Sequence, residues 1–188
     1  MLESFAIFYA KSHPVTLGVL LVLSLYFIAI NWIFFYRFFS LNQWVSQENQ
    51  SLESLLLGNA RVPDYAYLSH FTKSVTVLSK ELFDLAHYAG TKEATKGLMF
   101  LSVVASTTPF IGLFGTVVSI LDTFKHIGGA NGTMSIIAGG VSEALVATAS
   151  GIFVAIFAYT YHQVLKRKAS ELSGLIRMQS DALLSKGL

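Results

Sequence analysis

From Val15 to Phe35 the chain runs 21 residues without a charged side chain. As an α-helix this stretch is about 30 Å long, the thickness of a bilayer's hydrocarbon core. Two further apolar runs follow, about Leu98 to Leu121 and Ile136 to Val164. In a chain of 188 residues, three such runs leave little for a separate soluble core. The composition agrees: 53% hydrophobic and 13% charged residues are too apolar for an ordinary soluble domain. A cleavable signal peptide has a shorter apolar region, about 7–15 residues, followed by small residues. Here the first run ends in Trp32-Ile33-Phe34-Phe35-Tyr36-Arg37, read as an aromatic belt with a basic anchor, so a retained membrane helix is expected.

The cationic residues set an expected orientation. Arg37, Arg61, Lys73, Lys80, Lys92 and Lys96 lie between the first and second runs, and Lys166, Arg167, Lys168, Arg177 and Lys186 follow the third. The amino-terminal segment has only Lys11, and the connection between the second and third runs only Lys125. Under the positive-inside rule the amino terminus faces outward and the carboxyl terminus is cytoplasmic. The expected fold is an all-α integral membrane protein. Its parts are an outer (periplasmic) amino terminus (1–14), transmembrane helix 1 (15–36), a cytoplasmic helical loop (37–97), helix 2 (98–121), a periplasmic turn (122–135), helix 3 (136–164) and a cytoplasmic tail helix (165–188).

Several functions are excluded on residue content. There are no cysteines for disulfides, thiolate metal sites or thiol nucleophiles. Gly128 to Gly132 reads as a turn and lacks the Gly-Lys-Ser/Thr ending of a phosphate loop. No nucleophile elbow, HExxH or nucleotide fingerprint occurs, so an enzyme is not expected and no cofactor is implied. His70 and His87, 17 positions apart, read as solvated or core histidines rather than metal ligands. A net charge of +2 gives no argument for nucleic acid.

In the 37–97 loop, Ser40 reads as the cap of a helix carrying Leu41, Trp44, Val45, Leu52 and Leu55 to Leu57, ending at Gly58. Pro63-Asp64 opens a second helical pattern that runs to Gly90, and Thr91 reads as the cap of a helix entering the second span. Leu165, Leu172, Leu175, Ile176, Met178 and Leu183 suit an amphipathic tail helix packed on these elements.

Chemistry concentrates in the last two runs. Ala105, Thr108, Gly112, Thr116 and Ser119 form a small, partly polar stripe on one helix face. Gly140, Ala144, Ala147, Thr148, Gly151, Ala155 and Ala158 form another. Small residues let membrane helices approach closely, so both faces are expected to meet protein. Packing alone accounts for the glycines and alanines. It does not account for Glu143, an ionisable residue within a span, costly there and a functional-site hypothesis by default. Pro109 removes one backbone bond mid-helix and is expected to kink it, with Ser106, Thr107 and Thr108 nearby to take up the freed carbonyl.

The segments ASTTPFIGLFGTV (Ala105–Val117) and SEALVATASGI (Ser142–Ile152) resemble the signature of the MotA/TolQ/ExbB proton-channel family, over roughly Lys96 to Lys168. The resemblance implies a homo-pentameric ring whose second and third helices line a pore. It implies a TolR/ExbD-like single-span partner, as a dimer with a membrane aspartate, and a TolA/TonB-like protein beyond it. Proton flow would drive rotation of the ring about that partner. By motif, Thr116, Thr148 and Glu143 become the proton pathway and Pro109 the helix kink; Gly112, Ser119, Ala144 and Gly151 belong to the pore and packing stripe. A hydroxyl both donates and accepts, so it can pass a proton without holding charge.

The chain departs from relatives at Gly139-Gly140, where Ala-Pro is common, and at Ile156-Phe157-Ala158, where Ile-Pro-Ala is common. Three spans rather than four make flagellar torque the least favoured branch. The implied function is an inner-membrane subunit that uses the proton motive force to energise outer-membrane processes. The amino-terminal third leans toward the Tol–Pal system of envelope maintenance and cell division. The alternatives are an ExbB-type subunit powering TonB-dependent nutrient uptake and a non-conducting membrane scaffold. A solute transporter would carry an internal repeat, which the three unlike spans lack.

Overall fold

The computed structural model describes residues 14–58, 62–73, 79–127 and 134–185, without the side chains of His126, Ile127, Ser135 and Ile136. All regular structure among them is helical: α1 Pro14–Leu56, α2 Ser69–Thr72, α3 Lys80–Ala94, α4 Leu98–Ile127 and α5 Met134–Ser185. Three of these, α1, α4 and α5, are long and apolar enough to cross a membrane. The expected amino-terminal segment before Pro14 and the Gly128–Gly132 turn lie outside the described residues.

The helix starts and stops differ from the sequence pattern. Ser40 begins nothing: α1 passes through it unbroken, because no residue between Pro14 and Leu56 interrupts the hydrogen-bond ladder. It ends where expected, with Gly58 in the left-handed region at φ 103°. The tail likewise is not a separate helix but the continuation of α5 through Lys166–Lys168. Thr91 lies inside α3 rather than at a helix start. The true cap of α3 is Ser79, whose hydroxyl accepts from the Leu82 amide at 3.3 Å. The break before α4 falls at Gly97, at φ 83°. A side chain there would also press on Ile33 Cγ2, 3.3 Å from the Cβ position.

The chain forms two compact units, one drawn from the chain up to Trp32 with Phe100–Tyr161, the other from Ile33–Met99 with His162–Leu188. In the first, α4 and α5 pack antiparallel on their small-residue faces. A Cβ at Gly151 would stand 2.5 Å from the Thr108 carbonyl oxygen and 3.0 Å from Gly112 Cα. Leu101 and Val104, about two turns and one turn before Thr108, are also buried. Helix α1 joins through Phe27, whose ring lies 5.6 Å from Phe153 and 5.5 Å from Phe157, and through Asn31, which accepts from the Tyr161 hydroxyl at 2.9 Å.

The second unit packs α1, α2, α3 and the later part of α5 around Leu41, Leu55, Leu68, Phe83, Leu172, Ile176 and Leu183, all buried. Helix α3 approaches closely at Gly90, where a Cβ would meet Ile176 Cδ1 at 2.8 Å. Arg37, at the end of the aromatic run, is fixed by backbone contacts. Its guanidinium donates to the Glu93 and Ala94 carbonyls at 2.7 and 2.9 Å, closing the carboxyl end of α3.

Candidate functional site

The α4–α5 seam brings Thr116 and Thr148 together. Their hydroxyls are in hydrogen-bond contact, and each side chain is half-buried. Gly112 makes this possible by lacking a side chain: a Cβ there would stand 2.8 Å from the Ala147 carbonyl oxygen and 3.1 Å from Thr148 Cα. The Thr116 hydroxyl also lies 3.3 Å from the Gly112 carbonyl oxygen and 3.1 Å from that of Ala144; Thr148 reaches Gly112 at 3.4 Å.

This arrangement has a definite chemical capacity. Two hydroxyls carry two protons, while the acceptors are two carbonyls and the hydroxyls themselves. Thr116 can donate to Thr148 while Thr148 donates to Gly112. Alternatively Thr148 donates to Thr116 while Thr116 donates to Ala144. The two states differ only in the direction of the chain, and neither requires a charge.

The polar seam continues along α4. Ser119, buried, donates to the Gly140 carbonyl at 3.2 Å, and Thr123 donates to the Ser119 carbonyl at 2.9 Å. A Cβ at Gly140 would collide with Thr123, so this crossing also depends on glycine. Ala144 and Gly151 are buried in the seam, as are Gly112 and Ser119. Glu143 is half-buried on α5, one residue before the Ala144 carbonyl that Thr116 can use.

Pro109 lies inside α4 without ending it. The expected rescue by neighbouring hydroxyls takes another form. Ser106 and Thr107 donate to the Val103 carbonyl at 3.0 and 2.8 Å, and Thr108 to Val104 at 2.9 Å. None of these bonds goes to Ala105, whose carbonyl loses its usual donor because Pro109 has no N–H.

Three contributors escape the sequence pattern. Gly115 lies in the seam, where a Cβ would stand 2.9 Å from that of Ala147 and 3.3 Å from Val19 Cγ1. Its spacing from Gly112 was the available signal. Thr16, on α1, is completely buried, and among the described residues its hydroxyl has no hydrogen-bond partner. In the second unit, the buried Glu48 carboxylate accepts from the Tyr67 amide at 2.7 Å, Trp44 Nε1 at 3.2 Å and Gln179 Nε2 at 2.9 Å. Ser51 donates to the Gln179 side-chain oxygen at 3.3 Å. Burial, then the charges of Glu93 and Glu48, push the Tyr67 phenol above its ordinary value. On the surface, the hydrogen bond and charge of Lys73, 2.7 Å away, hold Asp64 below its usual range. Of the histidines, His87 Nε2 bonds the Ser173 hydroxyl at 2.9 Å, and that hydroxyl in turn contacts Thr91 at 3.0 Å. Among the described residues no cluster of three His, Cys, Asp or Glu could hold a metal ion.

Comparison with known proteins follows the same residues. A biopolymer transport protein, ExbB-like 1, of Helicobacter pylori is 40% identical over 188 residues, covering 99% of this chain and 100% of its own. Shorter matches are TolQ of Haemophilus influenzae, 52% identical over 58 residues (30% of this chain, 25% of its own), and ExbB of Neisseria gonorrhoeae, 49% over 73 residues (38% and 33%). The MotA/TolQ/ExbB proton channel family matches residues 67–178, which include Pro109, Thr116, Glu143 and Thr148. With three membrane-length helices and this match, the chain is a multi-pass membrane protein that belongs to the MotA/TolQ/ExbB proton channel family.

Proposed function

We propose that this chain is the proton-conducting subunit of a bacterial inner-membrane energiser. Five copies form a ring around a dimer of a TolR/ExbD-like single-span partner. A membrane aspartate of the partner exchanges protons with the hydroxyls of Thr116 and Thr148, and the work passes to a TolA/TonB-like protein. The amino terminus is periplasmic and the carboxyl terminus cytoplasmic, in keeping with the Lys/Arg distribution.

The observation that carries this reading is the hydroxyl contact between Thr116 and Thr148 across the glycine-rich seam. A scaffold needs the glycines but not a reversible chain of hydroxyls. Glu143 stands beside that chain, as a group that tunes local proton affinity or holds subunit contacts.

The Tol–Pal role suggested by the amino-terminal third has a competitor. The relatives that match this chain end to end carry the ExbB-like name, which supports the ExbB-type reading, the powering of TonB-dependent nutrient uptake. A deletion strain separates the two: detergent sensitivity and division defects belong to the Tol–Pal reading, loss of iron-complex uptake to the other.

The channel itself is tested by Thr148→Ala and Thr116→Ala in vesicles holding the chain with its single-span partner. Both variants should assemble normally and lose proton flux. Full flux in both would leave the scaffold reading standing.

A further inference from the structure

The first membrane helix holds the one buried side-chain oxygen in the first unit for which the described structure offers no hydrogen-bond partner, the hydroxyl of Thr16. A buried hydroxyl without a partner is destabilising, so what faces it matters.

The helix registers locate it. On α1, Thr16, Val19, Leu23, Phe27 and Ile30 share one face by their three- and four-residue spacing, and Thr16, Val19, Leu23 and Ile30 are all buried. That face meets two helices. Val19 lies at Gly115 of α4 together with Ala147 of α5, while Phe27 meets Phe153 and Phe157 of α5. Helices α1 and α5 therefore run parallel, and α4 runs antiparallel to both, since Tyr26 meets Phe100 where Val19 meets Gly115. One turn back from the Val19–Gly115–Ala147 junction, α1 presents Thr16. At the same level α4 presents Ser119, and α5 presents Glu143 and Ala144.

Glu143 also has the right azimuth. It precedes Tyr161 by about five full helical turns, so the two share a face of α5. Tyr161 uses that face to bond Asn31 of α1. Glu143 thus belongs to the α1-facing edge of α5, whereas Thr148 faces α4.

We propose that Thr16 is a positioning residue for Glu143, its hydroxyl reaching the carboxyl group through one buried water. A water needs two to four polar partners, and this junction supplies the Thr16 hydroxyl and the carboxyl oxygens. A carboxylate has about four lone-pair sites, so this contact fits beside any other Glu143 makes. The first helix then takes part in proton handling instead of serving only as a lipid-facing wall. The inference rests on the reading of Glu143 as part of the proton pathway.

The test uses the full chain in lipid vesicles, followed by infrared difference spectroscopy through an acid titration. The Glu143 carboxyl band is the one lost in Glu143→Gln. Thr16→Val keeps the shape and removes the hydroxyl, and it should shift that band to higher frequency. Thr16→Ser keeps the hydroxyl and should leave the band in place. If Thr16→Val does not insert, Thr16→Ala replaces it in the comparison. An unmoved band without the hydroxyl, or equal shifts with and without it, overturns the proposal. Proton flux in Glu143→Gln is a separate readout: full flux there removes Glu143 from the channel, while the band still reports whether Thr16 engages it.

Discussion

Gln179 and Glu48 lie 131 residues apart, and the Gln179 amide nitrogen is 2.9 Å from both the backbone carbonyl and the carboxylate of Glu48. Every contact of that carboxylate is with a donor: an amide side chain, an indole and the Tyr67 backbone. It therefore joins α1, the segment before α2 and the last part of α5 through one buried group.

Glu48→Gln should turn one of these contacts into two opposed amide groups and cost about 1.5–3 kcal/mol, the range for hydrogen bonds to charged groups. Adding Gln179→Glu re-pairs an acid with an amide and should recover part of that loss, although residue 179 then no longer donates to the Glu48 backbone carbonyl. Thermal unfolding of the single and double variants in detergent measures it; a double variant no better than the worse single would refute the pairing.

Alanine at Gly151 or Gly112 places a methyl group against backbone rather than a movable side chain. Helices α4 and α5 must separate, at a cost of about 1–3 kcal/mol as for overpacked cores. The separation should also open the Thr116–Thr148 contact, so proton-driven activity should fall further than stability does. Gly139→Ala, where a Cβ meets nothing within 4 Å, is the matched control.

For Glu143 the pattern of two substitutions is informative. Gln keeps the shape and hydrogen bonding, while Ala removes both. Strong loss of proton-driven function is expected in Glu143→Ala and substantial loss in Glu143→Gln, with assembly disturbed more by Ala. A fully active alanine variant, expressed normally with its partner, ends the case for this residue.

Tyr67 gives the second unit an alkaline weakness. Its phenol titrates above the ordinary 10.0 in the folded state, so the folded form holds its proton more tightly than the unfolded form. The resulting stability is fully present below pH 10.0 and is lost as pH rises through the folded value. In Tyr67→Phe, unfolding temperatures should lose this added fall above that point. An unchanged pH profile would assign the weakness elsewhere.

The two small-residue faces, expected to need neighbouring copies, cover each other in the α4–α5 seam of one chain, so the proposed ring must close through other faces. Native mass spectrometry in detergent should find a ring of identical subunits, with a five-subunit species dominant. A stable monomer, both alone and with the single-span partner, argues against the ring.

The membrane helices were legible because a bilayer imposes length and apolarity, which one run such as Val15–Phe35 displays directly. The seam was legible because small residues recur at helical spacing, from Thr108 through Gly112 to Ser119. What escaped were polar groups placed on otherwise apolar stripes. Glu48 follows Leu41 and Val45, and Gln179 follows Leu172 and Ile176, at spacings where another aliphatic would fit. Each looks like a surface residue until its partner, far off in sequence, is known. Ser40 and Thr91 misled for the opposite reason. Both have capping chemistry, but a cap acts only where the ladder ends, and at neither position does it end.

The unbroken helices have a consequence for how such a chain can change over generations. Within the first unit, α1 and α5 are paired at Phe27–Phe157 and again at Asn31–Tyr161, each pair 130 residues apart. Inserting one residue into either helix between those pairs would swing the next pair by about 100° and advance it about 1.5 Å. Asn31 would then miss the Tyr161 hydroxyl. Between those pairs the two helices can vary only by substitution, unless both gain or lose residues together.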